Sequence, residues 1–200
     1  MDNMRVAVFA SGSGTNLQAI IDAEIQTIQI VLVFTNNPEA YAIERAKNHN
    51  IPVEVIDHKN YKTREEYEKH IIKTLEPYNL DLIVLAGFMR ILSKVFVGAY
   101  KDKIINIHPA LLPSFPGINS AKQALEYGVK YTGVTVHFVD EGVDTGPIIL
   151  QSIVEIEDGD TEDKLLHKIH EVEHLIYPKA IELVSSGEIE VIGRRVVKKS

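Results

Sequence analysis

Short, almost wholly apolar runs alternate with stretches of helical character through the first half of the chain, and nothing else in the sequence restricts the fold as much. Arg5 to Ala10, Ile28 to Phe34, Asp81 to Ala86 and Lys103 to Ile107 are such runs, with a shorter one at Val53 to Ile56. Between them lie an amphipathic stretch from Leu17 to Ala23 and a helix over about Ala40 to Asn48. A third helix is opened by Thr63, with Glu66 three residues later as its capping-box partner, and closed by Pro77. Strands without polar alternation are buried on both faces, so the pattern predicts a parallel sheet covered by helices and doubly wound through right-handed crossovers. The second half changes character. Thr132 to Val139 and Pro147 to Ile156 are longer strands with no helix between them, which predicts an antiparallel extension. A long helix from about Thr161 to Ser185 and one last short strand over Glu188 to Val197 complete the chain. The predicted class is α/β: a doubly wound, mostly parallel sheet (Rossmann-like) with an antiparallel C-terminal extension and a long C-terminal helix.

Composition narrows the chemistry. Apolar residues make up 45% and charged residues 24% of 200 residues, ordinary for one globular domain with a buried core. There is no cysteine, which excludes disulfides, thiolate catalysis and cysteine zinc sites. A formal net charge of −7 argues against a general nucleic-acid surface. The apolar runs are far shorter than a membrane span, and the N-terminus shows no basic stretch leading into an apolar one. A cytoplasmic chain with neither a nucleic acid nor a membrane as partner is expected.

Ser11-Gly12-Ser13-Gly14-Thr15-Asn16 sits where the first strand hands over to a helix. Ligands of such sheets bind at the carboxyl ends of strands, and helix N-termini bind phosphate. Gly12 and Gly14 allow a tight turn and close backbone approach; the plainer alternative is a turn in which Thr15 or Asn16 caps the helix. The familiar nucleotide fingerprints fail, because a third glycine, an acidic residue ending the second strand and a phosphate-loop lysine are all missing. A single phosphate remains, as on a ribose 5-phosphate.

Asn106-Ile107-His108-Pro109 ends a strand, and alternation places Asn106 and His108 on one side at its carboxyl end. A histidine there suits acid–base work, and an asparagine amide can donate to a developing oxyanion. Asp144, in the glycine-punctuated loop Asp140 to Gly146, can orient that imidazole. A shared metal ion on His108, His137 and Asp144 is the alternative, although no close-spaced ligand pair anchors it. Glu173 stands in an apolar stripe with Leu166, Ile169, Ile176, Ala180 and Val184, where a carboxylate is costly without a partner. It is either a ligand contact or half of a buried ion pair, whereas His167, His170 and His174 lie further round and are expected in solvent.

Together these segments resemble the phosphoribosylglycinamide formyltransferase family. The resemblance is carried by Ser11 to Ile20, Ala86-Gly87-Phe88-Met89-Arg90-Ile91-Leu92, Asn106 to Pro113, Gly133 to Asp140 and Asp144-Thr145-Gly146-Pro147-Ile148-Ile149, within about Arg5 to Val184. It implies transfer of the formyl group of 10-formyltetrahydrofolate to the amine of phosphoribosylglycinamide in purine biosynthesis, without a metal. It implies Asn106, His108 and Asp144 as catalytic residues, and Gly14, Thr15, Asn16 and Glu173 for the ribonucleotide. Arg64, Met89, Arg90, Ile91, Leu92, Asn106, Asp140, Glu141, Gly142, Val143 and Asp144 are implied for the folate. One formyltransferase domain over 1–200 follows, with a phosphate-binding half to about 105 and a folate-binding and catalytic half from about 106. Ser114 to Tyr131 resembles a mobile loop of the family; Asn119 stands where some relatives carry histidine, and no catalytic part is assigned to it. The alternative activity is that of a formyltetrahydrofolate hydrolase, expected to carry an additional N-terminal module, and methionyl-tRNA formyltransferases are expected to be longer at the C-terminus.

Overall fold

In the computed structural model, which describes residues 3–199, the first apolar run forms β1 (Met4–Phe9) and the glycine loop opens α1 (Thr15–Asp22). Then follow β2 (Ile28–Thr35), α2 (Ala42–Asn48), β3 (Val53–Val55), α3 (Arg64–Leu75), β4 (Leu82–Leu85), α4 (Lys94–Ala99) and β5 (Ile104–His108). The chain divides into two units, the first ending at Ile105 and the second beginning at Asn106.

In the first unit β1 pairs in parallel with β2 and β4, and β2 with β3, giving the order β3-β2-β1-β4. β1 and β4 are buried along their apolar cores, as strands covered on both faces must be. The order reverses between β1 and β4, which makes the carboxyl ends of these two strands the topological switch point. Thr63 caps α3 by accepting from the Glu66 amide at 3.2 Å, a contact worth ~1 kcal/mol. Pro77 does end this helix, within a short 3₁₀ turn at Glu76–Tyr78.

The second unit contains α5 (Ser120–Tyr127), β6 (Tyr131–Phe138), β7 (Ile148–Glu155), α6 (Glu162–Ser185), β8 (Ile189–Ile192) and β9 (Arg195–Lys198). β6 and β7 pair antiparallel from Tyr131↔Glu155 to His137↔Ile148. No side chain fits at Gly133, where a Cβ would lie 2.1 Å from the Ser152 carbonyl oxygen. Thr161 caps α6, its side chain accepting from the Lys164 amide, with Glu162 and Asp163 in the positive first turn. Leu165, Ile169, Ile176, Tyr177, Ala180 and Ile181 form the buried stripe, against β6, β7 and α5. Leu166 and Val184, expected in that stripe, are only half-buried at its edge.

The predicted fold class holds, with three local differences. The single last strand is a hairpin, because Gly193 (φ 63°) turns the chain so that Ile192 pairs with Arg195. α4 was not predicted; it follows Ser93, whose hydroxyl accepts from the Val95 and Phe96 amides. The segment Ser114 to Tyr131 contains α5, which Gly128 stops with φ 81°. Among the described residues no helix is long and apolar enough to cross a membrane.

Candidate active site

Both loops at the switch point of the first unit carry predicted site residues. Gly14 is the N-cap of α1, with φ 70° and ψ 32°, a left-handed conformation that favours glycine. A Cβ there would also sit 2.9 Å from Ala42 Cβ and 3.0 Å from Ala42 Cα. Gly12 has neither constraint, since a Cβ would meet no protein atom within 4 Å. Neither Thr15 nor Asn16 is the N-cap of the helix, the Gly14 cap makes no side-chain bond and no acidic residue lies in the first turn, so no carboxylate of that turn opposes an anion at this helix N-terminus. Arg45, not singled out in the sequence, braces the loop: its Nε donates to the Ser13 carbonyl at 2.8 Å and its Nη1 to Gln18 Oε1 at 3.1 Å.

The loop after β4 holds Met89, Arg90, Ile91 and Leu92. Met89 and Ile91 are 80% and 64% exposed, an unusual display for apolar side chains. Arg90 lies over the Tyr67 ring at 5.5 Å. Burial pushes the Tyr67 hydroxyl pKa up, with the Arg90 charge opposing it. Arg64 at the start of α3 reaches Glu68 Oε1 at 3.3 Å. Glu68 is buried, and it also accepts from the Ser93 amide at 2.8 Å and bonds the Ser93 hydroxyl. Arg64, Arg90 and Ser93 thus converge on neighbouring residues of α3. Glu68 escaped the sequence reading because its helix is polar on most sides and a glutamate there reads as solvated.

Within the second unit, β5 delivers Asn106 and His108, and the loop between β6 and β7 delivers Asp144. His108 is 4% exposed. Its Nδ1 lies 3.4 Å from Asp144 Oδ2 and its Nε2 lies 2.8 Å from the Phe115 carbonyl oxygen. Both ring nitrogens therefore face acceptors, an arrangement that the doubly protonated imidazole satisfies with two donors. Asp144 also accepts from the Gly117 amide at 2.8 Å. Its Oδ1 lies 3.7 Å from His137 Nε2, and Asn106 Nδ2 is 3.4 Å from the same nitrogen. His137 Nδ1 lies 2.8 Å from the Phe138 carbonyl oxygen, which can accept a proton carried there. Burial pushes the Asp144 carboxyl up, but bonds from His137 and the Gly117 amide, with the charge of both imidazoles, outweigh it and hold the pKa below the ordinary value.

Asp144 itself has φ 54°, a strained position for a side-chain-bearing residue. The loop is shaped to hold it there. Asp140 Oδ1 accepts from the Gly142 amide at 3.0 Å and the Thr145 hydroxyl at 2.5 Å. No side chain fits at Gly142 or Gly146, where a Cβ would approach Thr145 Oγ1 to 2.0 Å and the Phe138 carbonyl to 1.7 Å. Glu141, Gly142 and Val143 are exposed at the tip. Behind His108, Thr135 Oγ1 donates to the Ala110 carbonyl and accepts from the Leu112 amide, fixing the turn that follows the histidine. Gln151 Nε2 donates to the same hydroxyl and to the Leu112 carbonyl. A threonine on an apolar strand gave no sequence signal of this duty.

The three groups weighed as metal ligands are instead engaged pairwise by hydrogen bonds and charge, and among the described residues no cluster of three is placed to hold an ion. Glu173 is 4% exposed and has a partner, His170 Nδ1, at 2.9 Å. His170 is exposed as expected, yet the Glu173 hydrogen bond raises its pKa above the ordinary value, against a smaller desolvation effect; His174, also expected in solvent, is half-buried. His167 is solvent-exposed as expected, 3.4 Å from Glu171. Asn119 is the N-cap of α5 with φ 57° and caps with no side-chain bond.

The family model described as formyl transferase matches residues 4–181. The chain is 44% identical to the phosphoribosylglycinamide formyltransferase of Bacillus subtilis, over 88% of this chain and 92% of that one. It is 48% identical to the trifunctional purine biosynthetic protein adenosine-3 of Drosophila melanogaster over 92% of this chain, but spans only 14% of that protein. The crystal structure of glycinamide ribonucleotide transformylase 1 from Symbiobacterium toebii is similar with a TM-score of 0.96 and 42% identity, covering 99% of this chain and 95% of that one.

Proposed function

The chain belongs to the formyl transferase family, and we propose that it moves the formyl group of 10-formyltetrahydrofolate onto the amine of phosphoribosylglycinamide, a step of purine biosynthesis. The products are the N-formyl ribonucleotide and tetrahydrofolate. Both substrates are small molecules, and we place the reaction in the cytoplasm, with no nucleic acid, membrane or metal required.

The observation that carries the reading is the carboxylate of Asp144 set between two imidazoles, with Asn106 on the second of them. Formyl transfer begins when the amine lone pair attacks the formyl carbon, and the carbonyl becomes a tetrahedral oxyanion. Asn106 and the protonated His108 stabilise that charge as donors. The bond from carbon to the folate nitrogen then breaks and the carbonyl re-forms; the leaving nitrogen takes a proton from His108, which is restored by the proton that the attacking nitrogen gives up. Asp144, its pKa held below the ordinary value, is the anion that faces His108 Nδ1 and orients the ring. For His108 Nε2 to reach the formyl group, the substrate must take the place of the Phe115 carbonyl. The glycine loop with Thr15 and Asn16 takes the phosphate, Glu173 the ribonucleotide's amine end, and Arg64, Met89 to Leu92 and Asp140 to Asp144 the folate.

The test is an absorbance assay of folate deformylation with and without the ribonucleotide. Deformylation that requires the ribonucleotide supports the transferase. Equal rates in its absence would make the chain a hydrolase.

A further inference from the structure

Ser11 opens the glycine loop, yet its bonds lead to the other loop of the switch point. It is 9% exposed and all of its polar atoms are engaged. Its amide donates to the Gly87 carbonyl at 3.1 Å, and its carbonyl accepts from Asn37 Nδ2 at 3.1 Å. Its hydroxyl donates to Asn36 Oδ1 at 2.5 Å and accepts from the Met89 amide at 2.9 Å. Asn36 continues through Nδ2 to His58 Nδ1 at 3.3 Å. A hydroxyl that donates and accepts at once polarises both bonds, so the two loops are held in one hydrogen-bonded chain.

The backbone geometry makes this connection consequential. The loops leave adjacent parallel strands, with Phe9 opposite Leu85 and the Ala86 amide on the Phe9 carbonyl. Beyond Ala86 the chain turns out through Gly87, at φ 75°, and shows the Met89 and Ile91 side chains to solvent. The Met89 amide is anchored on Ser11, two residues before Ser13, whose carbonyl is held by Arg45.

We propose that Ser11 is a positioning residue that couples the two substrate loops: filling the phosphate loop orders the Met89 backbone for the folate, and the folate orders the phosphate loop in return. The inference rests on the assignment of the two loops made above. Binding couplings are reciprocal, so each substrate tightens the other by the same factor.

Isothermal titration tests this with phosphoribosylglycinamide and tetrahydrofolate, a pair that cannot turn over. In the native chain each ligand tightens the other at least ~5-fold, equally in both directions. In Ser11→Ala the factor falls to about one, and Ser11→Thr, which keeps a hydroxyl, restores part of it, an outcome that a loss of fold cannot imitate. A native chain that binds both ligands with a factor of one overturns the coupling and leaves the function standing. Binding of neither ligand overturns both. An unchanged factor in Ser11→Ala overturns the role of Ser11. Should Ser11→Ala not fold, amide exchange at Met89 decides in the native chain: the ribonucleotide alone must slow it severalfold, and no slowing refutes the coupling.

Discussion

Replacing Gly14 by alanine perturbs the fold and the phosphate loop separately, and the structure gives a size for the first. The residue stands at φ 70°, where an L side chain costs about 1–2 kcal/mol. Its new Cβ would lie 2.9 Å from Ala42 Cβ and 3.0 Å from Ala42 Cα, and relieving such overpacking costs about 1–3 kcal/mol more, since the second atom is backbone. The sum is about 2–5 kcal/mol, or a melting temperature lower by roughly 4–20 °C for a chain of this size. Gly12→Ala is the control: nothing lies within 4 Å of its Cβ, and the stability should change by about 0.5 kcal/mol or less. Thermal and urea unfolding give these values. Kinetics well below the transition give the second effect, a Michaelis constant for the ribonucleotide raised about tenfold or more in Gly14→Ala, with folate binding measured alone within about threefold of normal (both roughly the scale of one lost charge-assisted contact). A Gly14→Ala chain as stable as the original refutes the steric argument. A folded variant with normal ribonucleotide affinity refutes the phosphate assignment.

Other expectations follow from the second unit. His108→Ala should lower kcat by about 10² to 10⁴ while circular dichroism stays unchanged, and near-normal turnover would remove its role. Asp144→Asn keeps a side chain that tolerates φ 54°, so it should fold but lose activity. Because the folded Asp144 pKa is lowered, its contribution to stability is present above the ordinary 3.8 and lost as pH falls through the lower folded value. Urea midpoints across that range should fall less steeply with falling pH in the variant than in the native chain, since Asp160 and other carboxylates still contribute. Glu173→Gln should weaken the ribonucleotide and spare the folate. The His170 pKa is raised, so its contribution is full below 6.5 and lost as pH rises through the folded value; an NMR titration of His170 should return toward 6.5 in Glu173→Gln.

What the sequence made legible was whatever repeats with a period or breaks one. Apolar runs without polar alternation marked β1, β2, β4 and β5, because strands covered on both faces have no other composition. Asn106 and His108 were visible as polar residues where an apolar strand ends. Asp144 was visible as well, in its glycine-punctuated loop, and it lies beside His108. His137, weighed only as a metal ligand, gives no local sign that its Nε2 meets both Asp144, in the loop after its own strand, and Asn106, on β5. Glu68 and Thr135 act at sequence distances of 25 and 23 residues, on Ser93 and Leu112, beyond any periodic signal. Position around the helix places His170 in solvent, where it lies, but does not say that its inner nitrogen points at Glu173. α5 is short, and its stop at Gly128 was hidden in a segment judged by resemblance alone.

The central claim is that the formyl carbon passes from the folate to an amine and not to water. Incubating the chain with 10-formyltetrahydrofolate labelled at the formyl carbon, with and without phosphoribosylglycinamide, tests it directly. The label should appear in the formamide of the ribonucleotide, one equivalent for each tetrahydrofolate formed, and without the ribonucleotide almost none should be released. Label recovered as formate at a rate indifferent to the ribonucleotide would contradict it.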